Sequence, residues 1–415
     1  MKKEEMLSRA GVIADEITAH RRWLHKHAET GFEVTETKAY VRSALEKMGL
    51  KVSDCGKAGL VTTIGSGEKT ILLRAEMDAL PILEESGVDF VSTNGKMHAC
   101  GHDMHTAMLL GAAKLLKEHE RTLNGTVKLM FQPAEEVFEG ARDMINDGLL
   151  ENPKVDMAMM IHVVAGIPLP AGTVIVSAPG VTAPAADYFS IRVQGKGCHG
   201  SAPQNGIDSL TAAAHLLIAL QEIHARELNP SEEAVLTIGT FHGGSADNVI
   251  ADYAVLGGTI RTYDEETRAY LKQRIIDIST GIASAFRASA LVEFGSGCPT
   301  LFNDKDVCRE VYGYLRDLLG PTGVLNAADI KQDTKASKGS GSEDFAYISR
   351  EVPSVMLALA AGDPAMGYSY PQHHPKVIFD ESVLPVGAAV FAHTALQYLG
   401  ETEELDDFTF NMYRK

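Results

Sequence analysis

Apolar and polar residues in the first part of the chain switch repeatedly between strand-like and helical periodicity. The predicted elements are, in order, a helix-rich start (4–48), strands at 60–64 and 70–74, a helix at about 103–119, a strand at 126–132, a helix at 141–147 and a strand at 155–162. This regular alternation is typical of an α/β domain, in which helices pack on the faces of a sheet.

A second pattern begins at about Asp187, where strands and helices follow each other in a different order. The predicted elements are a strand at 188–194, a helix at 208–226, strands at 234–241 and 254–263, a helix at 265–286 and a strand at 291–294. The order βαββαβ is that of the ferredoxin-like split βαβ unit. We therefore expect a catalytic domain formed by 1–186 and 298–415, with residues 187–297 inserted as a second domain.

Composition narrows the class of protein. The 415 residues contain 38 Lys and Arg against 55 Asp and Glu, and the net charge of −17 disfavours a nucleic-acid partner. The chain has no signal-peptide pattern at its start and no run of about 18 apolar residues, so we expect no membrane partner and a cytoplasmic location. The five cysteines are scattered, which argues against a disulfide framework.

Residues suited to catalysis follow the ends of three predicted strands. Glu76 follows one strand, Glu135 and Glu136 follow the next, and His162 ends the third. Ligands of open α/β sheets bind at this edge, outside the carboxyl ends of the strands. The loop His98-Ala99-Cys100-Gly101-His102-Asp103 supplies a thiol and further imidazoles. Thiolate, imidazole and carboxylate together suit a divalent metal such as zinc.

Each of these residues alone has a simpler explanation. A free cysteine such as Cys100 is usually a small buried apolar residue, and His98 and His105 fit core or capping histidines equally well. Adjacent glutamates are usually solvated. Glu135 and Glu136, however, directly follow a buried strand, where a cation would relieve their repulsion. The combination, rather than any single residue, indicates a metal site.

The motifs that carry this chemistry resemble those of a family of metal-dependent amidohydrolases. The family includes N-acyl amino acid amidohydrolases, hippurate hydrolases and plant auxin-conjugate hydrolases, and it is related to aminoacylases and glutamate carboxypeptidases. The resemblance covers nearly the whole chain in order. The matching segments are Arg22-Trp23-Leu24-His25, His98-Ala99-Cys100-Gly101-His102-Asp103, Phe131-Gln132-Pro133-Ala134-Glu135-Glu136, Gly195-Lys196-Gly197-Cys198-His199-Gly200, Gly258-Thr259-Ile260-Arg261-Thr262, Ser342-Glu343-Asp344-Phe345 and His373-His374-Pro375.

The resemblance implies a metallopeptidase-type α/β catalytic domain with a mostly parallel sheet, and an inserted ferredoxin-like α+β (βαββαβ) lid and dimerisation domain. It also implies two divalent metal ions per subunit, with zinc or manganese as first choices and cobalt or nickel also suited. The implied ligands are a Cys100 thiolate shared by both ions together with His102, Glu136, His162 and His373. His373 is preferred to His374 because the family's histidine stands two residues before a proline.

A mechanism of amide hydrolysis follows from the same resemblance. A metal-bound water has its pKa lowered towards about 7, and Glu135 removes its proton and later protonates the leaving amine. His199 resembles the family residue that donates to the oxyanion, from its own subunit or from the neighbouring subunit of a homodimer or higher homo-oligomer. Asn248 and Arg261 resemble the residues that bind the substrate's carboxylate. The expected substrate is a small N-acyl amino acid.

The sequence departs from the family pattern at several positions. Glu76 replaces the family's usual Asp, Ala28 replaces a proline, and Cys198 and Gln204 replace the usual Gly and His, so the substrate preference can differ.

Within the hydrolases, the alternative is a dipeptidase or carboxypeptidase. From other classes, the alternatives are a thiol hydrolase with Cys100 as nucleophile and a non-catalytic binding protein that kept the fold.

Overall fold

Helices and strands alternate along most of the computed structural model, which describes residues 3–329 and 341–400. The helices are Lys3–Val12 (α1), Ala14–Lys26 (α2), Thr35–Lys47 (α3), His102–Glu118 (α4), Gly140–Asn146 (α5), Ser209–Glu222 (α6), Glu265–Ala285 (α7), Lys305–Leu319 (α8), Ala346–Glu351 (α9) and Leu384–Leu399 (α10). The strands are Ser53–Cys55 (β1), Gly59–Ser66 (β2), Thr70–Glu76 (β3), Gly125–Gln132 (β4), Met157–Val164 (β5), Val174–Val176 (β6), Gly180–Ala183 (β7), Ala185–Gln194 (β8), Cys198–His199 (β9), Ala234–Gly243 (β10), Val249–Ile250 (β11), Tyr253–Thr262 (β12), Ser289–Cys298 (β13), Leu301–Asn303 (β14), Val324–Asn326 (β15) and Ser354–Ala360 (β16).

The described residues divide into two compact units, of which the second contains Val181–Leu301 and 341–346. The first unit is built on an eight-stranded sheet with the order β1-β2-β4-β3-β5-β16-β6-β15. Its central strands β4, β3, β5 and β16 run parallel, which confirms the predicted α/β class. Consecutive strands β2 and β3 are not neighbours, because β4 lies between them. Strands β3, β4 and β5 end at the same edge, so the residues that follow them are brought together.

Helices cover the central strands of this sheet, and every residue of β3 and β4 is buried. Helix α4 packs against β3, α2 and α10. Gly387 lets α10 approach α4 closely, since a Cβ at this position would lie 1.9 Å from Sδ of Met108. Among the described residues, Glu381–Leu399 forms the one helical segment with the length and hydropathy of a membrane span. Because 72% of that span is buried inside the protein, α10 is a core helix.

The second unit has its own antiparallel sheet, with the order β10-β12-β8-β13. Helices α6 and α7 pack against this sheet around a separate apolar core that includes Ile191, Leu216 and Leu271. The chain order β8-α6-β10-β12-α7-β13 is the βαββαβ order predicted from the sequence. The predicted helix at 208–226 ends as an α-helix at Glu222, and Ile223–Glu227 continues it as a π-helix.

Lys128 is a buried cation in β4, although lysine is rarely buried without partners. Its Nζ donates to the carbonyl oxygens of Leu149, Glu151 and Pro153, each at 2.8 Å. Burial lowers the pKa of Lys128. The three hydrogen bonds fix the loop between α5 and β5, so Lys128 stabilises the connection that leads into one of the central strands.

Replacing Lys128 with Met keeps a long side chain but removes the donor shared by three carbonyl oxygens. We expect the free energy of unfolding to fall by about 3 kcal/mol, because a buried polar group without its hydrogen bond costs about 1–3 kcal/mol. Urea unfolding followed by circular dichroism measures the change. Lys154→Met, at an exposed lysine of the same loop, is the matched control. Equal stability of the two variants would contradict the role given to Lys128.

Candidate metal centre

The residues predicted to form the metal site lie at the edge of the sheet where β3, β4 and β5 end. Cys100 belongs to the loop before α4, and His102 is the first residue of that helix. Glu135 and Glu136 follow β4, and His162 lies near the end of β5. Parallel strands therefore deliver these side chains to one place, as the sequence pattern predicts for an α/β sheet.

Cys100 is common to two groups of potential metal ligands. In the first group, its Sγ and the ring nitrogens of His102 and His162 all lie within 4.8 Å of one another. In the second group, the same limit holds for the Sγ, a carboxylate oxygen of Glu136 and a ring nitrogen of His373. Two sets of three ligand atoms that share one thiol have the composition of a two-metal site with a bridging thiolate.

His373 reaches the second group from a loop that is attached to the loop of Cys100. Its backbone N–H donates to the carbonyl oxygen of Ala99 at 2.9 Å, and its φ of 67° is uncommon for a residue other than glycine. Nε2 of His373 lies 3.6 Å from Oε1 of Glu136. His374 instead stacks on Tyr370, with ring centroids 4.3 Å apart. The structure thus brings His373 to the group rather than His374.

Backbone carbonyl groups orient two of the histidines for metal binding. Nδ1 of His102 donates to the carbonyl oxygen of Asp78 at 2.8 Å, and Nδ1 of His162 donates to that of Val163 at 2.7 Å. In the neutral imidazole, a proton on Nδ1 leaves Nε2 with the lone pair that a cation would bind. Nε2 of His102 is buried and has no hydrogen-bond partner among the described residues, as expected of an atom that binds a cation. These residues fit a divalent metal ion.

Asp78 organises the two glutamates, a role that the sequence analysis did not assign. Its Oδ1 and Oδ2 accept the backbone N–H groups of Glu135 and Glu136, both at 3.1 Å. The turn between β4 and this pair passes through Ala134 with a φ of 57°. Oε2 of Glu135 and Oε1 of Glu136 each lie 3.9 Å from Nε2 of His102. The signal in the sequence was an aspartate two residues after a buried strand.

Burial determines the protonation of the thiol. Burial raises the pKa of the Cys100 thiol well above its usual range, and the carboxylate of Glu136 raises it further. Burial also lowers the pKa of His162 to about 3. A raised pKa disfavours the thiolate that a thiol hydrolase needs as its nucleophile. A divalent cation reverses this preference, because it stabilises the thiolate directly.

His105 and His98 lie near the centre but outside the two groups that share Cys100, and His105 forms a separate group of potential ligands with Glu76 and His102. Nδ1 of His105 donates to Oε2 of Glu76 at 2.9 Å, and its Nε2 accepts the backbone N–H of Val163 at 2.8 Å. Both ring nitrogens of His105 are therefore occupied. His98 is buried, burial lowers its pKa to about 3, and it belongs to none of the candidate ligand groups among the described residues.

His199 and Asn248 are neighbours in the second unit. Strand β9 pairs with β11, which places His199 opposite Val249. The backbone N–H of Gly200 donates to the carbonyl oxygen of Asn248 at 2.7 Å. Both His199 and Asn248 are exposed, and Nδ1 of His199 lies 2.7 Å from Oγ of Ser201. His199 and Asn248 therefore lie on neighbouring backbone segments that are hydrogen-bonded to each other.

Arg261 lies far from this pair within the same unit. Arg261 is eight residues beyond Tyr253, the first residue of β12. Because a strand rises about 3.3 Å per residue, about 26 Å separates Arg261 from Tyr253. Asn248 precedes the Tyr253 end of the strand, and Nη1 of Arg261 donates to Oγ of Ser342 at 2.6 Å. Asn248 and Arg261 of one chain therefore lie at opposite ends of β12, which their short spacing in the sequence did not indicate.

Known proteins resemble this chain along nearly its whole length. Residues 72–397 match the family model described as peptidase family M20/M25/M40. IAA-amino acid hydrolase ILR1-like 2 of Arabidopsis thaliana is 38% identical, and the match covers 94% of this chain and 86% of the plant protein. N-acetyl-L-cysteine deacetylase of Bacillus subtilis (strain 168) is 36% identical, with coverages of 97% and 93%. Thermostable carboxypeptidase 2 of Saccharolobus solfataricus is 34% identical, with coverages of 93% and 96%.

Solved structures share the fold over the same span. A putative aminohydrolase from methicillin-resistant Staphylococcus aureus superposes with a TM-score of 0.86 at 33% identity, covering 96% of this chain and 100% of that one. The Bacillus subtilis YXEP protein, described as a dinuclear metal binding peptidase from the M20 family, superposes with a TM-score of 0.75 at 30% identity, covering 94% and 99%. The similarity to these two structures supports the predicted fold and the prediction of a metal-binding enzyme.

Replacing the shared thiol tests the centre. Cys100→Ser removes the one atom common to both ligand groups, so we expect affinity for Zn²⁺ or Mn²⁺ to fall by more than the roughly 10- to 100-fold loss typical of an outer-shell change. Chelator-stripped protein is reloaded and dialysed, and bound metal is measured by plasma emission. Cys308→Ser, at a buried cysteine of α8, is the matched control. Full metal retention in Cys100→Ser would contradict the assignment.

Proposed function

The chain belongs to peptidase family M20/M25/M40 and is a metal-binding hydrolase of amide bonds, and from this premise we propose that it hydrolyses N-acyl amino acids. The observation that carries the proposal is the thiol of Cys100, which is shared by two sets of potential metal ligands, with Glu135 beside His102 of one set. Two relatives support the substrate class, since their names describe an IAA-amino acid hydrolase and an N-acetyl-L-cysteine deacetylase.

Two divalent cations are assigned to the centre. One set of ligands is Cys100, His102 and His162, and the other is Cys100, Glu136 and His373. Thiolate, imidazole and carboxylate together suit Zn²⁺ or Mn²⁺, and Co²⁺ or Ni²⁺ also fit them. When bound, such ions lower the pKa of a water molecule and polarise an amide carbonyl group.

Glu135 carries the proton in this mechanism. Its side chain is buried, its backbone N–H donates to Asp78, and its Oε2 lies 3.9 Å from Nε2 of His102. Its neighbour Glu136 faces His373, which leaves Glu135 to accept a proton from the attacking water. A C–O bond forms, the C–N bond breaks, and Glu135 returns the proton to the leaving amine. The products are a carboxylic acid and a free amino acid.

Residues of the second unit recognise the substrate and stabilise the developing charge. Arg261 binds the carboxylate of the amino acid part, because a planar guanidinium forms two parallel hydrogen bonds with a carboxylate. Asn248 is the second residue proposed for the carboxylate. His199, whose ring is exposed, donates to the oxyanion that forms as water adds to the carbonyl carbon.

A homodimer reconciles the positions of these residues. Because about 26 Å of strand separates Arg261 from the Tyr253 end of β12, Asn248 and Arg261 of one chain do not bind the same carboxylate. A two-fold axis can bring His199 and Asn248 of one subunit to the centre of the other. Strand β10 is an edge of its sheet, and Val235 on it is 54% exposed, as expected of an edge that a partner covers.

A dipeptidase or carboxypeptidase is the second candidate, and the similarity to thermostable carboxypeptidase 2 favours it. The cleavage chemistry would be the same in both cases. The candidates differ in the acyl side of the amide, which is blocked in an N-acyl amino acid and carries a free α-amino group in a dipeptide. For either activity we propose a cytoplasmic location.

One assay panel separates the two candidates. Protein loaded with Zn²⁺ or Mn²⁺ is given acetyl-, benzoyl- and larger aromatic-acyl amino acids, and unblocked dipeptides with the same carboxyl-terminal residues. We expect kcat/KM to be roughly 10-fold or more higher for the blocked substrates. The control is Glu135→Gln, which should bind metal but lose roughly 10²–10⁴ in kcat on every substrate. The reverse substrate order would replace this proposal by the second candidate, and full turnover by Glu135→Gln would require another base.

Mixing two inactive variants tests the sharing of a site across subunits. Glu135→Gln and His199→Ala chains are each expected to be inactive alone. In a mixed dimer, one centre keeps its own Glu135 and receives an intact His199 from the partner, so random exchange restores about one quarter of wild-type activity. Glu135→Gln mixed with the double variant Glu135→Gln/His199→Ala restores none. Absence of recovery after proven subunit exchange would place His199 within its own chain or outside the mechanism.

A further inference from the structure

The backbone of Val163, which is fully buried near the end of β5, is the meeting point of three polar side chains. Its carbonyl oxygen accepts Nδ1–H of His162 and an Nε2–H of Gln372, both at 2.7 Å. Its N–H donates to Nε2 of His105 at 2.8 Å. His162 belongs to one group of potential ligands, and Gln372 directly precedes His373 of the other. One backbone residue therefore connects both groups.

The backbone groups of Val163 bind side chains because the pairing of β5 with β3 ends before this residue. Strand β5 pairs with β3 only as far as Met160, which lies opposite Arg74. On the other side, the N–H of Ala361 donates to the carbonyl oxygen of Val164. Because successive residues of a strand direct their polar groups to opposite sides, those of Val163 face the side that β3 has left. Buried backbone groups at this position need partners, and His105 and Gln372 supply them.

His105 is itself fixed by a buried chain of polar groups. The N–H of Val163 can only donate, so Nε2 of His105 carries no proton and Nδ1 does. Nδ1 donates to Oε2 of Glu76 at 2.9 Å, and Oε1 of Glu76 accepts from Nη1 of Arg74. Arg74 also donates through Nε to Gln132 at 2.9 Å. These side chains are fully buried, so the position of His105 is determined from β3 and β4.

We propose that two positioning residues couple the two metal positions: His105 holds the backbone of Val163, and Gln372 ties the loop of His373 to it. This inference rests on the two-metal centre proposed above. His105 fixes the N–H of Val163, whose carbonyl oxygen in turn fixes the ring of His162. Gln372 ties the loop of His373 to that same carbonyl oxygen. A shift of Val163 therefore moves both histidines, whereas loss of Gln372 releases the loop of His373 alone.

The two residues consequently have different expected effects on metal binding. His105→Leu removes the acceptor for the N–H of Val163 and should weaken both cations by roughly 10- to 100-fold. Gln372→Met keeps the length of the side chain but cannot donate, and should weaken one cation by roughly 10-fold while the other is retained. His105→Gln can still accept the N–H through Oε1, so it should recover most of the affinity that His105→Leu loses.

Cobalt titration of the full-length, chelator-stripped chain measures these effects without using activity. Calorimetry gives the number and affinity of bound Co²⁺ ions, and the Co²⁺ ligand-field bands and thiolate charge-transfer band report the geometry around Cys100. Two matched controls should bind like wild type. His393→Leu removes a buried histidine of α10, and Gln221→Met removes an amide that donates to a backbone carbonyl oxygen in α6.

The results separate this inference from the metal centre itself. Selective weakening by Gln372→Met, general weakening by His105→Leu and recovery in His105→Gln would support the coupling. Wild-type affinity and spectra in both His105→Leu and Gln372→Met would overturn it, as would a His105→Gln variant no better than His105→Leu. If circular dichroism finds His105→Leu unfolded, Gln372→Met and His105→Gln decide the question. A wild-type chain that binds no Co²⁺ would overturn the proposed centre first and this inference with it.

Discussion

The proposed metal centre depends on the crowding of carboxylates and imidazole rings around the buried thiol of Cys100. Cys100, Glu135 and Glu136 lie with imidazole rings where three parallel strands end. Burial disfavours the thiolate, and the two adjacent carboxylates repel each other, so the apo arrangement is unfavourable in itself. A divalent cation removes both penalties, because it stabilises the thiolate and neutralises carboxylate charge. A ring nitrogen of His102 and a ring nitrogen of His162 lie beside this thiol and complete one set of potential ligands for the cation.

Backbone groups, more than side chains, hold the ligands in place. The carbonyl oxygens of Asp78 and Val163 accept Nδ1–H of His102 and His162 and so fix the tautomers of these rings. The carboxylate of Asp78 accepts the backbone N–H groups of Glu135 and Glu136. The contact of Val163 is available because β5 has no strand partner on the side of β3 at that residue, and paired strands use these groups among themselves. The edge of a parallel sheet is therefore suited to a metal site because it leaves polar backbone groups to orient ligands.

The sequence predicted those parts of the structure that have a local signal. Strand and helix periodicity indicated the α/β unit and the βαββαβ unit, and short spacings grouped Cys100 with His102 and Glu135 with Glu136. The insertion of β4 between β2 and β3 has no local signal, because strand order depends on contacts between distant segments. Gln372 was missed for the same reason, since its importance comes only from a backbone group more than two hundred residues away.

The proposed metal ligands and the residues proposed to bind the substrate lie in different units. The proposed ligands and Glu135 lie in the first unit, whereas Arg261 and His199 lie in the second. The family departure at Glu76 is absorbed within the first unit, because its longer carboxylate is bound by buried partners. Cys198 instead lies next to His199, and its Sγ occupies the space that a Cβ on Gly206 would enter at 2.6 Å. A departure at this position changes the loop of His199 and leaves the proposed metal ligands unchanged.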